Sequence, residues 1–224
     1  MVVNNARIEI CCPSADAAFA AQKAKAGRIE LCRNLETGGL TPSNADIMEV
    51  ANCLDIPVGV LIRPREGNFV YTQAEVEQML ASIKFCGITG AVSRVVIGAL
   101  NEDGSVNLPT CRRLISLARE FRMMVTFHRA IDEPGDIFGR LEDVISLGVD
   151  CVLSSGGAPT AEEGIDTLAR MVDFAGKRTD IMPGCGVTPE NAVRILEKTR
   201  ARIIHGSRVS IIKAIRQSGP LKKG

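Results

Sequence analysis

Carboxylates and thiols interrupt two apolar segments near the start of the chain. Residues 7–11 (RIEIC) and 28–32 (RIELC) each place a glutamate between aliphatic residues and end in a cysteine. A strand that only filled a core would have no use for Glu9 or Glu30, because a carboxylate taken out of water must be paired or protonated. Carboxylates in such positions are suited to acid–base chemistry, so both are candidate catalytic residues.

The chain contains only two histidines, His128 and His205, and each follows an apolar segment. Histidine titrates near neutral pH and is the commonest acid–base catalyst in proteins. Asp132 follows His128 on the next predicted loop. The acid–base candidates are therefore Glu9, Glu30, His128 and Asp132. For both histidines, a hydrogen-bonded place in the core stays open as the alternative.

Short β-rich segments alternate with longer amphipathic segments eight times. The predicted strands are residues 7–11, 28–32, 57–62, 94–99, 124–128, 150–154, 180–184 and 202–206. No linker separates the units, and the first unit lacks the glycine-rich turn of a doubly wound dinucleotide-binding sheet. The sequence therefore predicts the α/β class, as a single-domain (β/α)8 TIM barrel over residues 1–224, with a short last helix over 208–217.

Local signals also predict where several helices begin and end. Starts are predicted at two capping boxes, residues 72–75 (TQAE) and 160–163 (TAEE), and at the Thr-Pro pair 188–189. Ends are predicted at Gly27, Gly87 and Gly148.

Alternation along the strands assigns their polar side chains to the barrel lumen. Successive side chains point to opposite faces of a strand, and the aliphatic ones must face the helices. The rule turns these residues inward: Glu9, Cys11, Glu30, Cys32, Arg63, Thr126, His128, Ile203 and His205. Most lie near strand C-termini, where barrel enzymes assemble their sites. A buried Glu30–Arg63 ion pair without chemistry, with Glu9 sharing the arginine, stays open as the alternative.

Three later loops are rich in small residues and suit an anion. Residues 154–157 (SSGG), 183–186 (PGCG) and 205–208 (HGSR) would let backbone amides approach a ligand. Loops after the seventh and eighth strands of barrels often hold a phosphate. With nearby arginines they define the candidate substrate-binding residues Arg63, Arg65, Arg129, Gly184, Gly186, His205, Ser207 and Arg208. The ligand would be a small anionic or phosphorylated metabolite, unless the glycines serve turn geometry alone.

Composition and charge narrow the function classes. The 224 residues carry a net charge of +1, with one Tyr and no Trp, which argues against a nucleic-acid partner. We expect no membrane segment and no signal peptide, hence a cytoplasmic location. Neither a P-loop nor a dinucleotide motif is present, so no nucleotide cofactor is implied. Whether the protein is an enzyme, and whether it forms a homo-oligomer, stay open.

The eight cysteines are dispersed without a CxxC pair or metal-finger spacing. In a reducing cytosol most should be free thiols. Cys53, Cys86 and Cys111 fall inside predicted helices, and we expect them to pack as small apolar residues.

The sequence resembles the copper homeostasis protein CutC family. The matching stretches are RIELCRNLETGGLTPS, LIRPREGNFVYT, GALNEDGSVN, VTFHRAIDE, LSSGG, IMPGCGV and IIHGS, which together span most of the chain. The resemblance implies a (β/α)8 barrel, a cytosolic location and a role in handling copper, without a settled reaction. Family positions are also matched by Arg63, Arg65, His128, Arg129, Asp132, Gly184 and His205.

The resemblance further implies a copper(I) site, because Cys11 and Cys32 match proposed copper ligands of relatives. Soft thiolates suit copper(I), and neighbouring strands lie about 4.8 Å apart, so two inward thiols could share one ion. Packing as buried apolar residues stays open for both. The chain departs from the family pattern at Asn68, Cys185 and Arg208, so its ligand need not equal that of its relatives.

Overall fold

The computed structural model describes residues 5–218, and eight parallel strands form its centre. They are β1 Arg7–Cys12, β2 Arg28–Leu31, β3 Val58–Leu61, β4 Val92–Ile97, β5 Met124–Phe127, β6 Cys151–Ser154, β7 Asp180–Pro183 and β8 Ile203–Gly206. Each strand from β1 to β6 pairs with the next one along the chain, and β8 pairs with β1. Since β7 also lies against β8, the strands form a nearly closed ring. The predicted (β/α)8 barrel is confirmed.

One helix follows each strand. The helices are α1 Ala15–Lys23, α2 Asn44–Cys53, α3 Gln73–Thr89, α4 Leu108–Glu120, α5 Ile137–Ser146, α6 Ile165–Ala175, α7 Ala192–Thr199 and α8 Ser210–Gln217. Among the described residues, none of these helices has the length and apolar character needed to cross a membrane. The last helix begins two residues later than predicted.

Of the three predicted helix starts, only the first is confirmed. Thr72 and Glu75 form a reciprocal capping box at α3. The hydroxyl of Thr160 does accept the Glu163 amide, but only within a turn that precedes α6. Helix α7 begins at Ala192 rather than Pro189, because the side chain of Asn191 accepts the Thr188 amide and holds the preceding turn.

Two of the three predicted helix ends are wrong. Gly148 follows α5 with a left-handed φ of 72°, as predicted. Helix α1 instead ends before Lys25, which itself takes a φ of 66°. Gly87 lies inside α3, where a Cβ would come 2.1 Å from Cγ of Phe121. That glycine therefore serves close helix packing, and Gly90 takes the left-handed conformation at the end.

The barrel has an outer core between strands and helices and a smaller inner core in the lumen. The predicted alternation is confirmed, since the apolar residues next to the inward ones along each strand, such as Ile8, Ile29 and Phe127, belong to the outer core. The lumen holds two separate buried clusters, one of Cys11, Cys32, Leu61 and Val96 and one of Cys151, Leu153, Met182 and Ile203.

Two of the three helix cysteines are buried as predicted. Cys86 and Cys111 belong to the outer core. Cys53 is exposed, because it occupies the last position of α2 on the side away from the barrel.

Candidate functional site

A pocket of about 500 Å³ opens at the C-terminal mouth of the barrel. This volume lies within the roughly 300–1,000 Å³ of small-molecule sites. Its wall includes most of the predicted site residues, namely Cys11, Glu30, Arg63, His128, Arg129, Gly186, His205, Ser207 and Arg208. Five other predicted site residues lie away from this wall: Glu9, Cys32, Arg65, Asp132 and Gly184.

Two thiols face each other at the lumen side of the pocket. In the parallel register of β1 and β2, Cys11 lies opposite Glu30, so Cys32 follows two residues further along the same face. The two sulfur atoms are 3.4 Å apart, and the Cys11 thiol also points to Oε1 of Glu30 at 3.7 Å. Donor atoms of Cys11, Glu30 and His205 lie within 4.8 Å of one another. The site thus gathers two sulfur, one carboxylate and one imidazole donor.

The surroundings of Cys11 and Glu30 raise the pKa of both groups and so favour their protonated forms. The hydrogen bond with Cys32, burial and the charge of Glu30 raise the pKa of Cys11 well above its usual 9.0. Burial raises the pKa of Glu30 to about 7, with a smaller contribution from the negative charge of Glu9, and the positive charge of His205 opposes the rise. Glu30 is therefore partly protonated at neutral pH, and its Oε2 finds no hydrogen-bond partner within residues 5–218.

Glu9 is fully buried beneath the pocket and orients His205. The register of β1 and β8 places the two residues side by side, and Nδ1 of His205 lies 2.8 Å from Oε1 of Glu9. Arg28 pairs with the other carboxylate oxygen. Burial opposes ionisation of Glu9, but the charge of Arg28 and the hydrogen bond from His205 outweigh it and lower the pKa to about 2. Glu9 is a permanent anion here, better suited to holding His205 than to transferring a proton.

The pKa of His205 shifts upward, in the opposite direction to that of Glu9. Burial alone would lower its pKa, but the hydrogen bond to Glu9 and the negative charges of Glu30 and Glu9 outweigh burial and raise it. Because Nδ1 bonds to Glu9, Nε2 is left for the pocket.

The ion pair considered between Glu30 and Arg63 does not form. Glu9 pairs with Arg28 instead, a residue that the sequence analysis overlooked. Arg94, also overlooked, is buried and donates to the hydroxyl of Thr126. The signal for Arg28 was available, because it precedes Glu30 by two residues and so shares its inward face.

His128 faces the lumen, as predicted, and is held from both sides. Nδ1 accepts the backbone amide of Ala130 at 3.1 Å, and the imidazole packs 4.9 Å from the ring of Phe69. Burial and the charge of Arg63 lower the pKa of His128 to about 3. The strand leaves room for the ring only because residue 98 is glycine, where a Cβ would lie 2.4 Å from Cε1. His128 is thus a neutral imidazole at physiological pH.

Asp132 joins two loops rather than lining the pocket. One carboxylate oxygen accepts the hydroxyl of Ser154 at 2.5 Å and the amide of Gly157 at 3.0 Å. The other accepts the amide of Ser155 at 2.9 Å and Nε of Arg129 at 3.0 Å. Since both oxygens are occupied, Asp132 stabilises the loops after β5 and β6.

Arg65 and Gly184, two further predicted site residues, lie outside the pocket wall and make structural contacts. Arg65 pairs with Glu75 at 2.5 Å and bonds to the side chain of Asn68, away from the pocket. Gly184 packs under the mouth, where a Cβ would meet Cδ1 of Leu153 at 2.5 Å.

Cys185, one of the positions at which the chain departs from the family pattern, lines the pocket with a left-handed φ of 75°. Its thiol donates to the carbonyl of Pro159 at 3.2 Å. This side chain narrows the space that a glycine at position 185 would leave for a ligand.

Sequence comparisons identify a family and several relatives for this chain. The model of the CutC family matches residues 6–210. A family protein CutC of Xanthomonas campestris is 46% identical over 200 residues, which cover 89% of this chain and 82% of that protein. A mouse protein named copper homeostasis protein cutC homolog is 42% identical over 204 residues, covering 91% of this chain and 74% of the mouse protein.

Solved structures also include a CutC protein that superposes on this chain. The CutC structure of Streptococcus agalactiae superposes with a TM-score of 0.85 at 30% identity, covering 91% of this chain and 99% of that one. A deoxyribose phosphate aldolase of Aeropyrum pernix reaches a TM-score of 0.71 at 14% identity, a likeness of fold alone. With a family model over most of its length and relatives above 40% identity, this chain belongs to the CutC family.

Proposed function

We propose that this protein binds copper(I) as its cargo at the barrel mouth, with Cys11 and Cys32 as the principal ligands. The observation that carries the proposal is the 3.4 Å separation of the two sulfur atoms. Thiolates are the soft ligands that select copper(I). His205 and Glu30 supply further donors beside Cys11, so the residues present fit this ion. The names of the mouse relative and of the Streptococcus agalactiae structure, both copper homeostasis proteins, support the same ion.

The surroundings of the pair fit a transported or buffered ion. Cys11 lines the pocket while Cys32 lies behind it, so an ion would enter by way of Cys11. Because the Cys11 thiol holds its proton strongly, binding must release protons. A reducing compartment such as the cytosol would keep the pair as thiols.

Competition with the chelator bathocuproine disulfonate under reducing conditions tests the proposal. Cys11→Ser and Cys32→Ser should each weaken copper(I) binding by more than the roughly 10–100-fold that is typical of outer-shell changes. Cys12→Ser is the matched control, because Cys12 neighbours Cys11 but packs in the outer core. Equal affinities in wild type and both ligand variants would refute the proposal.

A second candidate function is acid–base catalysis on a small anionic metabolite. It is favoured by a pocket far larger than an ion requires, which combines Glu30, with a pKa of about 7, and three arginines at one mouth. A group that titrates near the working pH is an efficient proton donor or acceptor. Glu30 is the strongest acid–base candidate of the four, because Glu9 and Asp132 are fully engaged and His128 stays neutral.

A thermal-shift screen separates the two functions. Ligands that bind the native state raise the melting temperature by mass action. Phosphorylated metabolites at millimolar concentration should do so in the Cys11→Ser variant as in wild type, whereas copper(I) should stabilise wild type only. If no anion stabilises either protein, the catalytic function loses its support.

A further inference from the structure

Two residues in the pocket wall keep a buried hydrogen-bond donor without a partner among the described residues. They are Arg63, at Nε, and His128, at Nε2. The hydroxyl of Tyr71 lies near the Arg63 guanidinium, but the two groups do not reach the geometry of a hydrogen bond. A buried polar group without a partner destabilises the native state, because it has lost its hydrogen bonds to water and gained none in return. Such groups at a pocket call for a partner that the protein itself does not supply.

The hydrogen bonds of His128 fix which kind of partner it needs. Since Nδ1 accepts the amide hydrogen of Ala130, it carries no proton of its own. The proton of the neutral ring must then sit on Nε2, which is therefore a donor. A ligand atom facing it has to be an acceptor.

Arg63 carries a buried charge without a carboxylate to balance it in the described part of the chain. Its Nη atoms donate to the carbonyls of Thr37, Gly39 and Gly67 at 2.9–3.1 Å. Carbonyl oxygens are neutral, so they satisfy hydrogen bonds but leave the charge uncompensated. With a 7% exposed side chain, solvent screens this charge poorly.

The two residues flank one aromatic ring. Cζ of Arg63 lies 5.1 Å from the centroid of Phe69, and the imidazole of His128 lies 4.9 Å from the same centroid. The positive charge of Arg63 also acts on His128 directly, as a cause of its lowered pKa. The unpartnered donors therefore belong to one region of the pocket.

We propose that Arg63 and His128 form an oxyanion subsite, which binds the carboxylate or phosphate oxygens of a small ligand. Such a group offers only acceptors and brings the missing negative charge. An ammonium group would bring a like charge and further donors to these two donors, so it would be repelled. The proposal rests on the second candidate function and names its ligand chemistry. It also changes the role of His128 from proton transfer to hydrogen-bond donation.

Arg140 is the control for the alternative that Arg63 has only a structural role. It is equally buried and donates only to backbone carbonyls, including those of Gly104, Glu133 and Pro134. It lies outside the pocket wall. If Arg63 merely tied loops together, the two arginines would behave alike in a binding experiment.

Isothermal titration calorimetry with oxalate and with inorganic phosphate tests the subsite, on copper-free protein in reducing buffer at neutral pH. We expect at least one probe to bind, and binding to weaken at least tenfold in Arg63→Gln and in His128→Phe, which keeps the ring but removes the donor. A tenfold loss corresponds to about 1.4 kcal/mol. Arg140→Gln should stay within about threefold of wild type. Should Arg63→Gln not fold, His128→Phe carries the test by itself.

Each result of the titration either supports the subsite or overturns it. The inference is overturned if neither probe binds at about 10 mM, or if Arg140→Gln weakens binding as much as Arg63→Gln. Phosphate alone or oxalate alone would identify which oxyanion the subsite takes. Because the experiment needs no turnover, a protein that binds a probe yet converts no metabolite would contradict the catalytic function and support the subsite.

Discussion

The substitution Glu9→Gln should destabilise the protein more than any change of a surface ion pair. Glu9 is fully buried and joins Arg28 and His205. The amide keeps the shape of the side chain but removes its charge. Arg28 would then remain in the lumen as an uncompensated cation, close enough to Arg94 for the two charges to interact.

The expected loss of stability follows from the ion pair of Glu9 and from the pKa shift that this pair helps to cause. Removing one partner of a buried ion pair costs about 3–5 kcal/mol. A pKa lowered from 4.5 to about 2 corresponds to about 3 kcal/mol, at roughly 1.4 kcal/mol per pH unit. In a chain of this size each kcal/mol shifts the melting temperature by roughly 2–4 °C, so we expect a fall of about 6–20 °C.

The sign of the pH dependence follows from the same pKa. Because the pKa of Glu9 is lower in the folded protein, its contribution is fully present above pH 4.5 and is lost as the pH falls from 4.5 toward about 2. The difference between wild type and Glu9→Gln should therefore shrink over this interval.

Differential scanning calorimetry and urea denaturation measure both effects. Glu142→Gln is the control, because its pair with Arg178 is about half exposed and should contribute no more than about 1 kcal/mol. If Glu9→Gln costs no more than Glu142→Gln, or if the difference is constant from pH 7 to pH 3, the account of the lumen is wrong.

Three further changes have defined outcomes. Gly87→Ala should cost about 1–3 kcal/mol in urea denaturation, because the new Cβ meets Phe121 in a packed interface; an unchanged midpoint would contradict that packing. Cys185→Gly should raise the free energy of unfolding by about 0.5–1 kcal/mol, since it relieves a left-handed residue, and a loss of stability would show that the thiol contact to Pro159 matters more. Copper(I) affinity, followed by chelator competition at pH 6, 7 and 8, should increase with pH because the raised pKa of Cys11 keeps its proton in place across this range; a flat profile would mean that Cys11 is not a ligand.

Periodicity predicted the barrel because it depends on side chains that repeat in every unit. The inward faces of Glu9, Glu30 and His128 followed from their aliphatic neighbours, which must pack against helices. Helix boundaries were harder, because tertiary packing decided them. Gly87 has the residue type of a helix end, and only its contact with Phe121 explains why the helix continues.

Partners inside the lumen could not be predicted with the same rule. Alternation places a side chain on a face but does not say which strand it reaches across to. For Glu9 the sequence suggested only Arg63, whereas the register of β1 and β2 places Arg28 opposite Glu9, and the two form the ion pair. Ser154 in the β6 region likewise donates a hydrogen bond to Asp132, a residue more than twenty positions away in the sequence. Alternation along one strand does not predict such a contact.

The proposed copper site is tested most directly by copper K-edge X-ray absorption of the protein loaded with one equivalent of copper(I). We expect the first coordination shell to contain two sulfur neighbours, since the sulfur atoms of Cys11 and Cys32 lie 3.4 Å apart, and one of them to disappear in Cys32→Ser. A first shell of nitrogen and oxygen alone, or a spectrum that Cys32→Ser leaves unchanged, would contradict the proposal.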